Sequence, residues 1–313
     1  MPSNRSVETL AAIDIGSNAI RLVLGTMDDY GDIRIIKKIR EAVRLGKDVF
    51  ADGEISPKTR EKAVHAFAKF RDILKEHDVK HSKAIATSAL REARDRDSFV
   101  QEVRKATGIK IEVIDGVEEG RLIFSAVAHR MNLNDKVALL IDIGGGSVEL
   151  TIADHGICKS TQTFKLGTVR LLQQLEKRGL KEKDIRQVVD ENFQPVRDFL
   201  KTATKGLHVD VVVGTGGNFE CLGKLRVALL QKNSIFSMTR DELGALVQHL
   251  ESMSVKERIQ FLRLRPDRAD VVVPAAQVTR AVMEAASVDL LSIPYVGLRD
   301  GILADIGSKL PHR

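Results

Sequence analysis

The chain has 313 residues, of which 43% are hydrophobic and 29% charged, a composition typical of a folded protein with room for two domains. Its net charge of +6 could attract a polyanion, but no helix-turn-helix or zinc-finger pattern indicates nucleic-acid binding. No apolar run reaches the roughly 20 residues that cross a bilayer, and no signal peptide is visible, so we expect a cytoplasmic protein with neither a membrane nor a nucleic-acid partner.

The first predicted elements are three antiparallel strands. The string IDIG at 13–16 ends an apolar run, and after Ser17-Asn18 the chain continues as a second extended segment. A turn signal at 28–32 leads into a third, which closes at Leu45-Gly46. Extended runs rich in aliphatic and β-branched residues, separated by such turns, are typical of a β-meander.

A helix, a strand and a second helix follow. Ser56 before Pro57 predicts a helix start, and apolar residues then follow the helical period at Val64, Phe67, Phe70 and Leu74. The run at 83–90 predicts a strand. The last helix opens with Glu118-Glu119, and such acids are commonplace in a first helical turn because they complement the helix dipole. A functional alternative is that one of them activates a water molecule.

The same series recurs about 128 residues later, where IDIG reappears at 141–144 and Leu166-Gly167 corresponds to Leu45-Gly46. A second strand at 209–217 matches the one at 83–90, and GLRDGIL at 297–303 resembles GVEEGRL at 116–122. Two ordered copies predict a duplicated α/β protein with a cleft between two similar domains, 1–132 and 133–313. The closing helix, about 298–313, is a candidate to pack back on the first domain.

Three glycine turns are candidates for phosphate binding, because glycine lets several backbone N–H groups approach one anion. An ordinary tight turn would explain any one of them, but their repetition favours a shared function. The turns are Gly16-Ser17-Asn18, Gly144-Gly145-Gly146-Ser147 and Gly214-Thr215-Gly216.

Acidic residues stand beside two of these turns. Asp14 and Asp142 each precede a turn, and Glu149 lies on the segment leaving the second one. Carboxylates next to a phosphate site are explained by Mg²⁺ between carboxylate and phosphate oxygens, and Mn²⁺ suits the same ligands. The alternative is that the aspartates cap the turns through backbone N–H groups.

In combination, these motifs resemble the exopolyphosphatase and guanosine pentaphosphate phosphohydrolase (Ppx/GppA) family over nearly the whole chain. The segments that carry the resemblance are IDIGSNAIRLVL, TSALREA, VIDGVEEGRLIF and LLIDIGGGSVEL. The resemblance implies the actin, Hsp70 and sugar-kinase superfold, which is ribonuclease H-like. It also implies a homodimer and a short form of the family, without the C-terminal helical extension of its longer members.

Residue roles follow from the resemblance. It makes Glu119 the general base, and it makes Asp142 and Glu149 catalytic acids that bind Mg²⁺ with Asp14 in support. The glycine turns hold the terminal phosphate and Arg91 neutralises a phosphate oxygen. One departure is Ala19, where the family usually has a serine, and this puts substrate preference in doubt more than the fold.

The leading hypothesis is therefore an exopolyphosphatase that releases orthophosphate from inorganic polyphosphate, with conversion of pppGpp to ppGpp as a second activity or the main one. A kinase of the same superfold is a weaker alternative, because no additional adenosine-binding element is visible. A non-catalytic sensor of (p)ppGpp or polyphosphate is the alternative from another class. Retention of Glu119, Asp142 and Glu149 argues against a sensor, which needs no water-activating base.

Overall fold

A computed structural model describes residues 8–310 of the chain. The described residues divide into two compact units. The first unit holds 8–126 and 298–310, and the second holds 127–297. No helix in the described range is both long and apolar enough to cross a membrane.

The first unit is built on a five-stranded mixed sheet with the order β3-β2-β1-β4-β5. Its strands are β1 (Glu8–Ile15), β2 (Ile20–Met27), β3 (Ile33–Glu41), β4 (His81–Ala86) and β5 (Ile111–Val113). The helices of this part of the chain are α1 (Leu45–Asp52), α2 (Pro57–Glu76), α3 (Ser88–Glu92), α4 (Arg96–Thr107) and α5 (Gly116–Arg130).

The second unit is built on a six-stranded sheet with the order β10-β11-β9-β6-β7-β8. Its strands are β6 (Val137–Ile143), β7 (Val148–Asp154), β8 (Ile157–Phe164), β9 (Val211–Thr215), β10 (Ser237–Thr239) and β11 (Leu290–Ser292). Its helices are α6 (Thr168–Lys177), α7 (Ile185–Glu191), α8 (Gln194–Ala203), α9 (Gly216–Leu230), α10 (Arg240–Glu251), α11 (Val255–Phe261), α12 (Pro266–Ala269) and α13 (Val272–Ala285). A last helix, α14 (Leu298–Gly307), belongs to the first unit.

The two sheets repeat one topology. The order β3-β2-β1-β4-β5 of the first sheet matches β8-β7-β6-β9-β11 of the second, which adds β10 at one edge. In both sheets the first three strands are antiparallel, and the strand after the helical segment pairs parallel with the first strand. The predicted duplication and the α/β class are therefore confirmed.

Both predicted inner strands run too long, because helices begin inside the predicted ranges. The strand predicted over 83–90 ends at Ala86, and α3 starts at Ser88. The strand predicted over 209–217 ends at Thr215, and α9 starts at Gly216. In the first range the apolar residues after the strand, Ala89 and Leu90, are buried by α3. In the second range the residues after the strand are Gly216 and Gly217, which open α9.

Helix α2 forms where the sequence predicts it. The Ser56 hydroxyl accepts a hydrogen bond from the Thr59 N–H, and Pro57 occupies the first helical position. The helix buries the face that carries Phe67 and Phe70 against the core shared with β1 and β2.

Helix α14 packs against the opposite face of the first sheet, together with α5. Ile302 and Leu303 are buried in a cluster with Leu10 and Val23 of the sheet. A Cβ atom at Gly301 would lie 2.1 Å from the Leu122 carbonyl oxygen of α5. Only glycine allows this approach, so α14 holds the helix that carries Glu119.

Candidate functional site

The first glycine turn joins β1 to β2. The Gly16 N–H donates to the Ala19 carbonyl over 3.1 Å, and the Gly46 N–H donates to the Ser17 carbonyl over 2.8 Å. A Cβ at Gly46 would lie 2.7 Å from Cβ of Ser17, so the start of α1 packs directly on the turn. The Ser17 hydroxyl also shares a 2.9 Å hydrogen bond with the hydroxyl of Ser88 at the start of α3. The turn that carries Asn18 is thus held from two sides.

Asp14 is paired with an arginine. Asp14 and Arg21 are register partners on β1 and β2, and the Arg21 guanidinium donates to the Asp14 carboxylate over 2.8 Å. Arg21 was missed by the sequence reasoning, although it stands seven residues after Asp14, where the second copy has Glu149 seven residues after Asp142. A role for Asp14 in metal binding stays a prediction, and its partner in this structure is a cation.

Glu119 and Arg91 come together in the first unit. Glu119 lies in the first turn of α5 and is 7% exposed. The Arg91 guanidinium from α3 lies 3.4 Å from its carboxylate and donates to the Ile114 carbonyl over 2.9 Å. A buried carboxylate needs such a charged partner, and the Ile114 carbonyl fixes the arginine in place.

The neighbouring Glu118 has different surroundings. It receives two hydrogen bonds from Arg121, over 2.7 and 2.8 Å, and this pairing with Arg121 lowers the pKa of the Glu118 carboxyl. Its side chain is about one-third exposed. The sequence leaves either acid open as a base, and the structure separates a surface ion pair at Glu118 from a buried carboxylate at Glu119.

The second glycine turn joins β6 to β7 and repeats the first. The Gly144 N–H donates to the Ser147 carbonyl over 2.9 Å, as Gly16 does to Ala19. Gly167 takes the place of Gly46, because a Cβ there would lie 2.3 Å from the Gly146 carbonyl carbon. Helix α6 therefore starts directly against this turn.

Helix α6 binds the carbonyl groups of the turn. Thr168 N–H donates to the Gly144 carbonyl over 3.0 Å, and Val169 N–H donates to the Gly145 carbonyl over 2.8 Å. The Arg170 side chain donates to the Gly146 carbonyl over 3.0 Å. Three consecutive carbonyl groups of the turn thus point toward α6.

The orientation of these carbonyls fixes that of the amides. In a trans peptide the C=O and N–H bonds point in opposite directions. With the carbonyls of Gly144, Gly145 and Gly146 turned toward α6, the N–H groups of Gly145, Gly146 and Ser147 point away from it. Successive amides directed to one side form a concave site for an anion such as phosphate.

Two carboxylates lie beside this turn on adjacent strands. Asp142 and Glu149 are register partners on β6 and β7, so their side chains project from the same face of the sheet. Asp142 is partly exposed, whereas Glu149 is 2% exposed. The Thr215 hydroxyl from β9 donates to the Asp142 carboxylate over 2.6 Å, which orients it.

The donor set fits Mg²⁺. Residues 8–310 contain no group of three or more His, Cys, Asp or Glu side chains that could hold a metal by themselves. Mg²⁺ in phosphoryl-transfer sites usually takes one or two carboxylates and fills its other positions with water and substrate phosphate. Asp142 and Glu149 supply such a pair.

The two glycines of the third predicted turn are required for different reasons. Gly214 is buried within β9, and a Cβ there would lie 2.2 Å from the Phe219 ring, so packing accounts for this glycine. Gly216 has a φ of +78°, and a Cβ there would lie 3.0 Å from the Asp142 carboxylate. Glycine at 216 therefore lets the backbone pass close to the acid. Phosphate binding by Gly214-Thr215-Gly216 stays a prediction.

Two further polar residues at this turn were missed by sequence reasoning. The Asn218 amide donates to the Ile143 carbonyl over 2.6 Å, and its oxygen accepts from the buried Arg268 guanidinium. The Asn218 side chain therefore links Arg268 to Ile143, the last residue of β6. No local pattern marks this arginine, because its partner lies 50 residues earlier in the chain.

Comparison with known proteins identifies what the chain resembles. A family model described as the Ppx/GppA phosphatase family matches residues 25–310. The guanosine-5'-triphosphate,3'-diphosphate pyrophosphatase of Photobacterium profundum is 27% identical over 96% of this chain. The chain spans 60% of that protein's length. The putative exopolyphosphatase of Haemophilus influenzae is 24% identical over 96% of this chain and 93% of its own length.

Solved structures agree on the fold. The exopolyphosphatase from Cytophaga hutchinsonii superposes with a TM-score of 0.84 at 25% identity, covering 97% of this chain and 99% of that one. The Aquifex aeolicus member of the Ppx/GppA family gives a TM-score of 0.75 at 24% identity, covering 96% of this chain and 97% of that one. The predicted duplicated actin-like fold is confirmed by this similarity together with the two matching sheets.

Proposed function

The chain belongs to the Ppx/GppA phosphatase family, and we propose that it hydrolyses the terminal phosphoanhydride bond of inorganic polyphosphate, with guanosine pentaphosphate as a second substrate. The observation that carries this proposal is the glycine turn at 144–147, whose carbonyls are bound by α6 and whose amides point the other way. Such a turn binds a phosphate group without a side-chain charge. Curated relatives named for hydrolysis of pppGpp and for exopolyphosphatase activity support it.

We propose the following roles for Glu119 and Arg91 of the first unit. The Glu119 carboxylate accepts a proton from water as the water oxygen attacks the terminal phosphorus. The bond from that phosphorus to the bridging oxygen breaks, and orthophosphate leaves with the water oxygen. Arg91 orients Glu119 through the 3.4 Å ion pair. Positioning and charge neutralisation account for most of the catalysis of phosphoryl transfer.

The second unit holds the phosphate chain. We assign the N–H groups of Gly145, Gly146 and Ser147 to the phosphate oxygens and the Asp142-Glu149 pair to Mg²⁺, with Mn²⁺ as a substitute. When bound, the metal supplies positive charge to phosphate oxygens during the reaction. The Thr215 hydroxyl donates to Asp142 and so orients one carboxylate of this pair.

The test is orthophosphate release with Mg²⁺ from long polyphosphate, tripolyphosphate, pppGpp and ATP, with Glu119→Gln compared with the wild type. We expect Glu119→Gln to lower kcat at least about 100-fold. The matched control is Glu118→Gln, which removes the neighbouring surface carboxylate and should stay within about threefold, because exposed ion pairs contribute little. Removal of divalent metal with a chelator should abolish release.

Two results would overturn the assignment. If Glu119→Gln and Glu118→Gln behave alike, Glu119 is not the base. If the wild type binds ppGpp or polyphosphate and releases no orthophosphate, the chain is a sensor. We further propose, from the family resemblance, a cytoplasmic homodimer, which light scattering of the purified protein and cell fractionation would check.

A further inference from the structure

Two serine hydroxyls are paired where the first glycine turn meets α3. Ser17 lies in the turn and Ser88 is the first residue of α3, and their side-chain oxygens are 2.9 Å apart. The two residues are 3% and 2% exposed. Because a buried hydroxyl requires a hydrogen-bond partner, each serine satisfies the other. Their bond joins segments that are 71 residues apart in the chain.

The start of α3 also positions the charged pair of the first unit. The Thr87 N–H donates to the Ile15 carbonyl over 3.2 Å, and the Arg91 N–H donates to the Thr87 carbonyl over 2.9 Å. Arg91 lies three residues after Ser88, so the two side chains are neighbours on the helix surface. Because the Arg91 guanidinium is 3.4 Å from the Glu119 carboxylate, the hydroxyl pair connects the first glycine turn with the helix that holds this ion pair.

The second copy has glycine at both equivalent positions. Gly145 follows the second IDIG as Ser17 follows the first, and Gly216 begins α9 as Ser88 begins α3. A Cβ at Gly216 would lie 3.0 Å from the Asp142 carboxylate, so a serine there would crowd that acid. Because the second sheet keeps the same topology without the pair, the fold itself does not require the two serines. Their role therefore belongs to the site of the first unit.

Loss of either hydroxyl should change the spacing between the turn and α3. A buried hydroxyl that is left without its partner is costly, so the turn and the helix are expected to shift. Phosphoryl transfer depends on the alignment of water, base and phosphorus, and a displacement of about 1 Å can lower the rate about 100-fold. Neither hydroxyl has to contact the substrate to produce this effect.

We propose that Ser88 is a positioning residue, which through the Ser17 hydroxyl keeps the first glycine turn at a fixed spacing from Arg91 and Glu119. This inference rests on the proposed hydrolysis and adds a residue to the same site. The Ser17 hydroxyl acts on α3, and contact of this turn with phosphate is left to its backbone N–H groups. The two hydroxyls therefore act as one unit, and loss of both should cost no more than loss of either.

The experiment is a double-mutant cycle of Ser17→Ala and Ser88→Ala, with orthophosphate release from tripolyphosphate and Mg²⁺ as the readout. Each single variant should lower kcat about tenfold, because the base and the turn lose their alignment. KM should stay within about twofold of the wild type. The double variant should lower kcat by about the same factor as either single variant, since residues that act as a unit are not additive.

The matched control is Thr107→Val, which removes another buried hydroxyl of the first unit and keeps the shape of the side chain. The Thr107 hydroxyl donates to the Val103 carbonyl over 2.7 Å at the end of α4, so kcat should stay within about twofold. An equal loss of kcat in Thr107→Val would overturn the proposal. A loss of about 100-fold in the double variant, or a raised KM in Ser17→Ala alone, would show that the Ser17 hydroxyl acts on the substrate independently of Ser88.

Hydrogen exchange read by mass spectrometry needs no turnover and separates this proposal from the proposed function. Peptides that contain residues 16–19 should exchange faster in Ser88→Ala than in the wild type or in Thr107→Val. If the wild type hydrolyses no substrate and Ser88→Ala shows this faster exchange, the hydrolase proposal fails and the hydroxyl pair still fixes the turn. If hydrolysis proceeds and neither kcat nor exchange depends on Ser88, only the positioning role fails.

Discussion

Gly46 and Gly167 are small residues with a large effect on the candidate site. Each begins the segment that packs on a glycine turn, and a Cβ at either position would lie within 2.7 Å of atoms of that turn. The sequence predicts that each ends an extended segment, but the strands end earlier, at Glu41 and Phe164, and the two glycines lie at the starts of α1 and α6. Their contact with Ser17 in one copy and with Gly145-Gly146 in the other explains why glycine stands at both positions.

Gly167→Ala should therefore damage the second turn. Because the clash is with backbone atoms of Gly145 and Gly146, the turn must shift, and we expect a loss of at least about 2 kcal/mol in the free energy of unfolding. Orthophosphate release should fall with it, since the amides of the turn are displaced. Urea unfolding followed by circular dichroism measures the stability.

The control for this prediction is Gly244→Ala. Beyond the adjacent residues and the backbone of α10 itself, no atom of residues 8–310 lies within 4 Å of a Cβ at Gly244, so the substitution should stabilise the helix by about 0.5–1 kcal/mol. If Gly167→Ala proves as stable as the wild type, the close packing of α6 on the turn is wrong.

At the scale of single elements, α10 begins with a capping box that is tied to α9. The Thr239 hydroxyl accepts from the Glu242 N–H, and the Glu242 carboxylate accepts from the Thr239 N–H. Arg226 of α9 donates twice to the same carboxylate, over 2.8 and 2.9 Å. The cap is readable from the sequence because its partners are three residues apart, whereas the arginine is supplied by tertiary packing.

Glu242→Gln should lose stability in a defined pH range. The hydrogen bonds from Arg226 lower the pKa of Glu242 from its ordinary 4.5 to about 2. A lowered folded-state pKa stabilises the protein above the unfolded value, and this contribution is lost as pH falls through the folded value. At neutral pH the variant should be less stable than the wild type by up to roughly 3 kcal/mol, and the gap should close between pH 4.5 and about 2.

Unfolding curves across that pH range check this prediction. The matched control is Glu257→Gln in the capping box of α11, where Ser254 is hydrogen-bonded to Glu257 and no arginine of the described chain is paired with it, so the difference should be smaller. A gap between Glu242→Gln and the wild type that stays constant with pH would contradict the account.

At the scale of the whole molecule, the chain leaves the first unit after α5, builds the second unit, and returns as α14. Helix α14 then completes the core on one face of the first sheet, with Leu303 and Ile302 buried against β1 and β2. Its Asp305 lies 3.4 Å from Lys83 of β4 and 3.3 Å from Arg121 of α5. The first unit therefore depends on residues from both ends of the described chain.

Leu303→Ala should weaken the first unit selectively. Truncation of a leucine that is 1% exposed leaves a cavity and should cost about 2–5 kcal/mol. Hydrogen exchange read by mass spectrometry should show faster exchange in residues 8–126, and Val117→Ala at a 62% exposed site on α5 should show no change. Faster exchange confined to residues 127–297 would contradict the assignment of α14 to the first unit.

The amino-acid sequence determined what depends on neighbouring residues. Three features are local patterns, because turns and caps are set within a few residues. They are the repeat of IDIG at 13–16 and 141–144, the turns after each copy and the cap of α2 at Ser56. These patterns were sufficient to predict the duplicated α/β fold. They also placed glycine turns and aspartates together in each copy.

Only the tertiary structure decided which charged and aromatic groups meet. It separated Glu119 beside Arg91 from Glu118 beside Arg121, and it paired Asp14 with Arg21 through the register of β1 and β2. It also brought Arg268 to Asn218 and Phe236 to Tyr295. The members of the last two pairs are more than 40 residues apart, so no local periodicity could reveal them, and their contact follows from how the helices and strands pack.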